Sequence, residues 1–142
     1  MSRPEAKDIM TEGVIAIGRE ATIKDASRKM KENNIRSLVV TEEEEAVGIL
    51  VGKDILYAVT ASGRDPASVK VKDVMTEDVI TASEYDDVSD IATAMLENDI
   101  SRLPVLRGDE VVGIVTETNI LRAWPGYLDL LEEQASSGRT DI

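Results

Sequence analysis

Apolar and polar positions along the chain fall into short blocks whose period changes from one block to the next. An apolar run at Val14–Ile17 predicts a strand. Ile23, Ala26 and Met30 then recur at helical spacing, so they share one face of a helix. Thr22 stands at the N-cap of that helix, and Asn33-Asn34 end it with residues suited to a left-handed backbone. Two strand-like runs follow, "IRSLVV" and "AVGILV", joined by an acidic turn at Thr41–Glu45. A second helix is predicted from near Gly52.

The same order returns further along. Val79–Ala82 is apolar, Asp87 caps a helix, and Val88, Ile91, Ala92, Met95 and Leu96 form its inner face. Asn98-Asp99 closes it. The runs "SRLPVL" and "VVGIVT" are joined through Arg107-Gly108-Asp109-Glu110, and another helix starts near Glu117. A Gly-Asp pair between apolar runs is good hairpin chemistry. Pro104 has no N–H to give to a ladder, which predicts an edge strand or an irregularity there. Trp124-Pro125-Gly126 breaks the last helix, "YLDLLEEQ" reads as one more short helix, and the tail "SSGRTDI" is expected to fray.

This recurrence is a duplication. Shifting the chain by 65 residues lays "KDIMTEGVI" at Lys7–Ile15 on "KDVMTEDVI" at Lys72–Ile80, without a gap as far as Ala58 over Ala123. The 52 aligned pairs hold 21 identities, where unrelated segments would give roughly 3. The expected organisation is a first repeat over residues 1–60, a linker over 61–70, a second repeat over 71–124, and a C-terminal helix and tail over 125–142. The fold class expected is α/β (α+β type): two tandem β-α-β-β-α repeats packed around a pseudo-two-fold axis, since one copy alone has little interior.

Composition narrows the chemistry. The chain has 142 residues with 42% hydrophobic content, and only three Tyr and one Trp are aromatic. The core is therefore aliphatic. Without His or Cys there is no imidazole base, no thiolate nucleophile and no disulfide. Catalysis is not expected, and no metal site is expected either. Sixteen Lys and Arg against 28 Asp and Glu leave a net charge of −12, which repels a nucleic-acid backbone. No apolar stretch approaches the ~20 residues of a membrane span, and the N-terminus lacks an apolar signal core, so a cytoplasmic protein is expected.

Several short motifs carry less than they suggest. "GILVGKD" lacks a spacer residue of a P-loop and has Asp54 where the magnesium-binding hydroxyl would stand. "RGD" at Arg107–Asp109 is a hairpin turn, and Glu42–Glu45 is a solvated one. Met10 and Met75 open the repeats at matched positions and are read as packing residues. Trp124 and Tyr127 fit either a dimer contact or ordinary packing.

Four features in order, each duplicated or matched across the copies, resemble the CBS (cystathionine-β-synthase type) domain family. They are the "KDhMT" opening, the strand after it, the "hxxLPV" segment Ile100–Val105, and "GIVT" at Gly113–Thr116 running into "NIL". The resemblance spans about Lys7 to Ala123 and implies a free-standing Bateman module. It further implies clefts for an adenosyl ligand such as AMP, ADP, ATP or S-adenosylmethionine, a disc-like homodimer, and regulation of an unknown partner protein.

It also implies a site. In similar proteins a hydroxyl residue and an Asp three positions later hold the ribose. Here the second copy offers Thr116 with Asn119 in place of Asp, and the first offers Asp54 without the hydroxyl. An amide can still bond a ribose, though without charge assistance. The base is expected against Ile80, Thr81 and Ala82 and against Ser101, Arg102, Leu103 and Pro104. The first-copy wall is Ile15–Ile17, above all Ile17, with Arg36 and Ser37. Arg36, Arg102, Arg122 and Lys53 are candidates to meet a phosphate. The rival reading is a ligand-free interaction and dimerisation module whose clefts are vestigial and whose Thr116 and Asn119 merely cap a helix.

Overall fold

Thr22 and Asp87 cap the two long helices as the pattern predicts. In the computed structural model, which describes residues 3–136, Thr22 Oγ1 accepts from Asp25 N at 3.1 Å and Asp87 Oδ1 from Ser89 N at 2.8 Å. The hydroxyl and amide of Ser89, together with Arg3, hold the Asp87 carboxyl below its usual range. Asn34 and Asp99 follow these helices with φ of 52° and 54°, the left-handed residues that the polar pairs foretold. The fraying expected of the tail falls, beyond residue 136, outside the described residues.

The chain divides into two compact units. One is Val14–Val79; the other joins the chain up to Gly13 with the chain from Ile80 onward. In the first, β1 (Ala16–Gly18) runs parallel to β2 (Ser37–Glu42), which pairs antiparallel with β3 (Glu45–Val51). The helix α2 (Ile23–Asn33) and a second helix cover this sheet. That second helix is α3 (Gly52–Ile55), continued by a wider π turn through Thr60. Ile23, Ala26, Leu38, Val40, Leu50, Val59 and Val71 make its aliphatic core. The other unit repeats the plan with β4 (Ala82–Ser83), α4 (Val88–Glu97), β5 (Arg102–Arg107), β6 (Glu110–Thr116) and α5 (Glu117–Ala123). Both first strands begin two or three residues later than the apolar runs. Ile15 and Ile80 lie before the strands and pack partly buried against their cores, so hydrophobicity extends beyond the paired residues of the strands.

Pro104 corrects one expectation. Its strand, β5, is the centre of the sheet rather than an edge. In the first unit Val39 N donates to the Ile15 carbonyl at 3.3 Å; Pro104 occupies the matched position and cannot donate. The irregularity falls on the neighbour, and β4 is one residue shorter than β1.

Packing and sequence register divide the molecule differently, because each unit holds the other repeat's leading segment. Thr11, after the short helix α1 (Ala6–Ile9), forms a two-bond bridge with Ile114 on β6, at 2.8 and 3.0 Å. Thr76, 65 residues on, bridges Ile49 on β3 at 2.9 and 3.1 Å. Met10 and Met75 lie over Gly113 and Gly48, where a Cβ would stand 2.5 and 2.7 Å from the methionine sulfurs. They are packing residues, as read from the sequence.

The two hairpins turn by different chemistry. Glu43 and Glu44 both take left-handed backbone, with φ of 50° and 71°, while the other turn uses Gly108 at 62°. Glu42–Glu45 is exposed throughout, a solvated turn as expected. Beside the turns sit two ion pairs with exchanged signs. Arg19 Nη1 meets Glu42 Oε2 at 3.0 Å in the first unit, and Arg107 Nε meets Glu84 Oε2 at 2.7 Å in the second. Glu84 is only 5% exposed, and its carboxylate raises the guanidinium of Arg107 above its ordinary range. Arg107 of the "RGD" thus anchors a buried acid.

Glu20, just past β1, receives Lys70 Nζ at 2.8 Å and Lys72 Nζ at 3.0 Å. Those two hydrogen-bonded cations, Lys70 first, pull its carboxyl from 4.5 to about 2. A depressed folded value means stability that is present above pH 4.5 and lost as pH falls toward 2. Glu20→Gln is expected to flatten the acid limb of the unfolding midpoint in that window. The effect should be small and salt-sensitive, because the cluster is exposed. Midpoints scanned from pH 5 to pH 2 check it, and an unchanged limb would contradict it.

Candidate functional site

The second repeat brings its candidate residues to one end of the β4-β5-β6 sheet. Arg102 opens β5 and pairs with Thr116 at the close of β6, and the Ser101 carbonyl accepts from Glu117 N at 2.9 Å. Thr116 Oγ1 accepts from Asn119 N at 3.2 Å, while Asn119 Oδ1 accepts from Thr116 N at 2.9 Å. This is a reciprocal capping box, and it fixes both side chains at the start of α5. Asn119 Nδ2 also reaches Thr11 Oγ1 at 3.5 Å. On the parallel side, Ala82 pairs with Val105, so Ile80 and Thr81 run up the sheet toward the same end. Thr81 and Ser101 are exposed, Ile80, Arg102, Thr116 and Asn119 are half-buried, and Ala82, Leu103 and Pro104 are buried.

The first repeat builds the same end with different groups. Ser37 pairs with Val51, and the Arg36 carbonyl accepts from Gly52 N at 3.0 Å. Asp54 Oδ2 accepts from Val51 N at 3.1 Å, the counterpart of the Asn119 bond, but Val51 has no hydroxyl to reciprocate. A carboxylate keeps acceptor capacity beyond that one bond. Ile17 is buried within β1 and Arg36 is exposed on the bend before β2.

The proposed phosphate contacts are spread out. Arg102 stands beside the capping box of α5 through Thr116, and Arg36 beside the start of α3 through Gly52. Lys53 lies over the Tyr57 ring, 5.6 Å from its centre, and Arg122 is exposed on α5. Tyr127 settles its two readings as packing, since it is 1% exposed in the core of its unit. Thr11 was not among the residues expected at the site. Its signal was present in the sequence as the Thr of "KDIMT", repeated at Thr76, but only the exchange of leading segments puts it beside Asn119.

Comparison with known proteins accords with this architecture. The CBS domain family model matches residues 6–61 and 71–126. The chain belongs to the CBS domain family, and carries two copies of the domain. The CBS domain-containing protein YhcV of Bacillus subtilis is 32% identical over 96% of this chain and 93% of its own length. Hypoxic response protein 1 of Mycobacterium tuberculosis is 29% identical over 86% of each chain. A crystal structure of Hypoxic Response Protein I, with two coordinated zinc ions, aligns with a TM-score of 0.76 over 85% of this chain and 99% of that one, at 29% identity. A hexameric CBS-CP12 protein from bloom-forming cyanobacteria, 34% identical, gives 0.77 over 82% of this chain and 66% of that one. The α/β fold of two tandem repeats is thus the fold of this family. Among the described residues no helix is long and apolar enough to cross a membrane.

Proposed function

We propose that the chain is a regulatory module that binds an adenosyl ligand, AMP, ADP, ATP or S-adenosylmethionine, at the capped sheet ends of its repeats. The observation that carries the reading is the convergence of Thr116, Asn119, Thr11 and Arg102 at one sheet end. Hydroxyls and an amide suited to ribose hydroxyls stand there beside a cation suited to phosphate. A partner would sense the ligand through its different affinity for two arrangements of the module. The same reading takes the protein as cytoplasmic, non-catalytic and homodimeric. Leu56, Tyr57, Leu121 and Leu128, all exposed on helices, support a second copy as occupant of those faces.

Asn119→Asp tests the site. It supplies the carboxylate beside the Thr116 hydroxyl while keeping the capping box, and a charge-assisted bond is roughly twice as strong as a neutral one. Calorimetric titration with AMP is expected to show affinity higher by about tenfold. Unchanged affinity would remove Asn119 from the site. The rival reading, a ligand-free interaction module, draws support from the same helix-start bonds, which occupy Asn119 Oδ1 and Asp54 Oδ2 with backbone donors. It predicts no binding by either protein.

A further inference from the structure

The two long helices are matched copies with different outer faces. On α2, Lys24, Arg28 and Lys31 stand four and three residues apart, so they form one stripe, and all three are exposed. Ile23, Ala26 and Met30 hold the buried side. Lys29 is used internally, on the Ala16 carbonyl at 2.6 Å. Against these four cations α2 has two acids, Glu32 and Asp25, the latter turned to its own N-cap. The ion pairs among the described residues involve none of the three stripe cations. At the positions 65 residues on, α4 has Ser89, Thr93 and Leu96, and its charges are Asp90 and Glu97 alone. The complementary stripe lies on the final helix, Gly126–Ser136. Tyr127, Leu130 and Leu131 pack on the core, while Asp129, Glu132 and Glu133 share an exposed face beside Leu128. They too take no part in the ion pairs among the described residues. Net charge follows the same polarity. The unit Val14–Val79 holds 10 Lys and Arg against 12 Asp and Glu, a net −2, and the other unit 6 against 16, a net −10.

We infer that the basic stripe of α2 in one copy docks on the acidic stripe of the final helix in a second copy, so that the homodimer sets unlike units against each other. Charge complementarity names the occupant. Three cations spread over about 10 Å of one helix meet three carboxylates spread over about 6 Å of the other. The Lys and Arg stems cover Leu128, which is 56% exposed, while their heads reach the acids. A second copy satisfies both stripes with one interface, which no external partner of a single charge does. Long-range repulsion favours the same order. Like units together oppose −10 to −10, and unlike units oppose −10 to −2. A two-fold axis makes the contact twice. The inference rests on the homodimer proposed above and not on the adenosyl ligand.

Sedimentation equilibrium of the full chain tests the contact by charge reversal. Lys24→Glu, Arg28→Glu and Lys31→Glu together are expected to weaken the dimer about a hundredfold, the worth of several exposed ion pairs. Asp129→Lys, Glu132→Lys and Glu133→Lys together should do the same. Net charge alone predicts the opposite for this second set, which brings the chain from −12 to −6 and relieves repulsion. A chain with all six reversals returns to −12 and should dimerise like wild type, with the signs exchanged across the same contact. The neutral set Lys24→Gln, Arg28→Gln and Lys31→Gln should weaken the dimer about tenfold, which covers a failure of the reversed chains to fold. Affinity unchanged by the triple reversals or by the neutral set, or a six-fold variant that folds yet stays weak, would overturn the contact and leave the homodimer standing. A wild type that remains monomeric at millimolar concentration would overturn both.

Discussion

Tyr127→Ala is expected to lower stability by about 4 kcal/mol, the middle of the range for truncating a buried aromatic. Among the described residues, Tyr127 heads the fully buried side chains by size. It lies on the final helix, α6 (Gly126–Ser136), after the break at Trp124-Pro125. From there it packs into the aliphatic core formed by Val88, Ile91, Met95, Leu103, Val115 and Ile120. Its hydroxyl donates to Glu117 Oε1 at 2.8 Å, tying α6 to the first turn of α5. Truncation leaves a ring-sized void and an acceptor without its donor. Tyr127→Phe keeps the ring and should cost only about 1 kcal/mol. Denaturant unfolding of both variants checks the pair. A loss under 1 kcal/mol for the alanine variant would mean that α6 is an appendage rather than part of the core.

Gly48→Ala and Gly113→Ala are each expected to cost about 2 kcal/mol, as overpacking does. A Cβ at Gly48 would stand 2.7 Å from Met75 Sδ and 2.9 Å from the Thr76 carbonyl. At Gly113 it would stand 2.5 Å from Met10 Sδ and 3.0 Å from the Thr11 carbonyl. A methionine tip can swing aside, but the two carbonyls cannot do so freely. Each accepts a ladder bond, from Ile49 N and from Ile114 N. The methyl therefore acts on the bridge that holds each leading segment to its sheet. Denaturant midpoints check the cost. In wild type, slow hydrogen exchange is expected at the Thr11 and Thr76 amides, and the matching variant should speed it. Neutral substitutions would show that the methionines take up the whole strain.

Much of this was legible in the sequence because it is local. The caps at Thr22 and Asp87, the left-handed Asn34 and Asp99, the two hairpins and the helix starts at Gly52 and Glu117 all follow from residues a few positions apart. Register features were legible in principle as well. Arg19 with Glu42 and Glu84 with Arg107 stand 65 residues apart with their signs exchanged, a pattern that a charge-by-charge comparison of the copies reveals.

What escaped was non-local. Pro104 suggests an edge strand, but a central strand tolerates it because a short parallel neighbour gives up a single bond. The exchange of leading segments leaves no mark on periodicity, since "KDIMT" reads the same whichever copy of the sheet it joins. Tyr127 lies after a helix-breaking Pro-Gly, so nothing in its neighbourhood distinguishes a core residue from an exposed one. For the site, the sequence supplied Thr116, Asn119 and Asp54. The approach of Thr11 to Asn119 depends on how the chain returns on itself.

Thermal unfolding against AMP, ADP, ATP, S-adenosylmethionine, NAD and guanine nucleotides tests the central claim most directly. A ligand at ~100 times its dissociation constant adds about 2.7 kcal/mol, several degrees in the midpoint for a chain of this size. The adenosyl reading predicts that rise with at least one of the four adenosyl ligands named and none with the guanine nucleotides. No shift with any compound at millimolar concentration would contradict it and leave the interaction module standing.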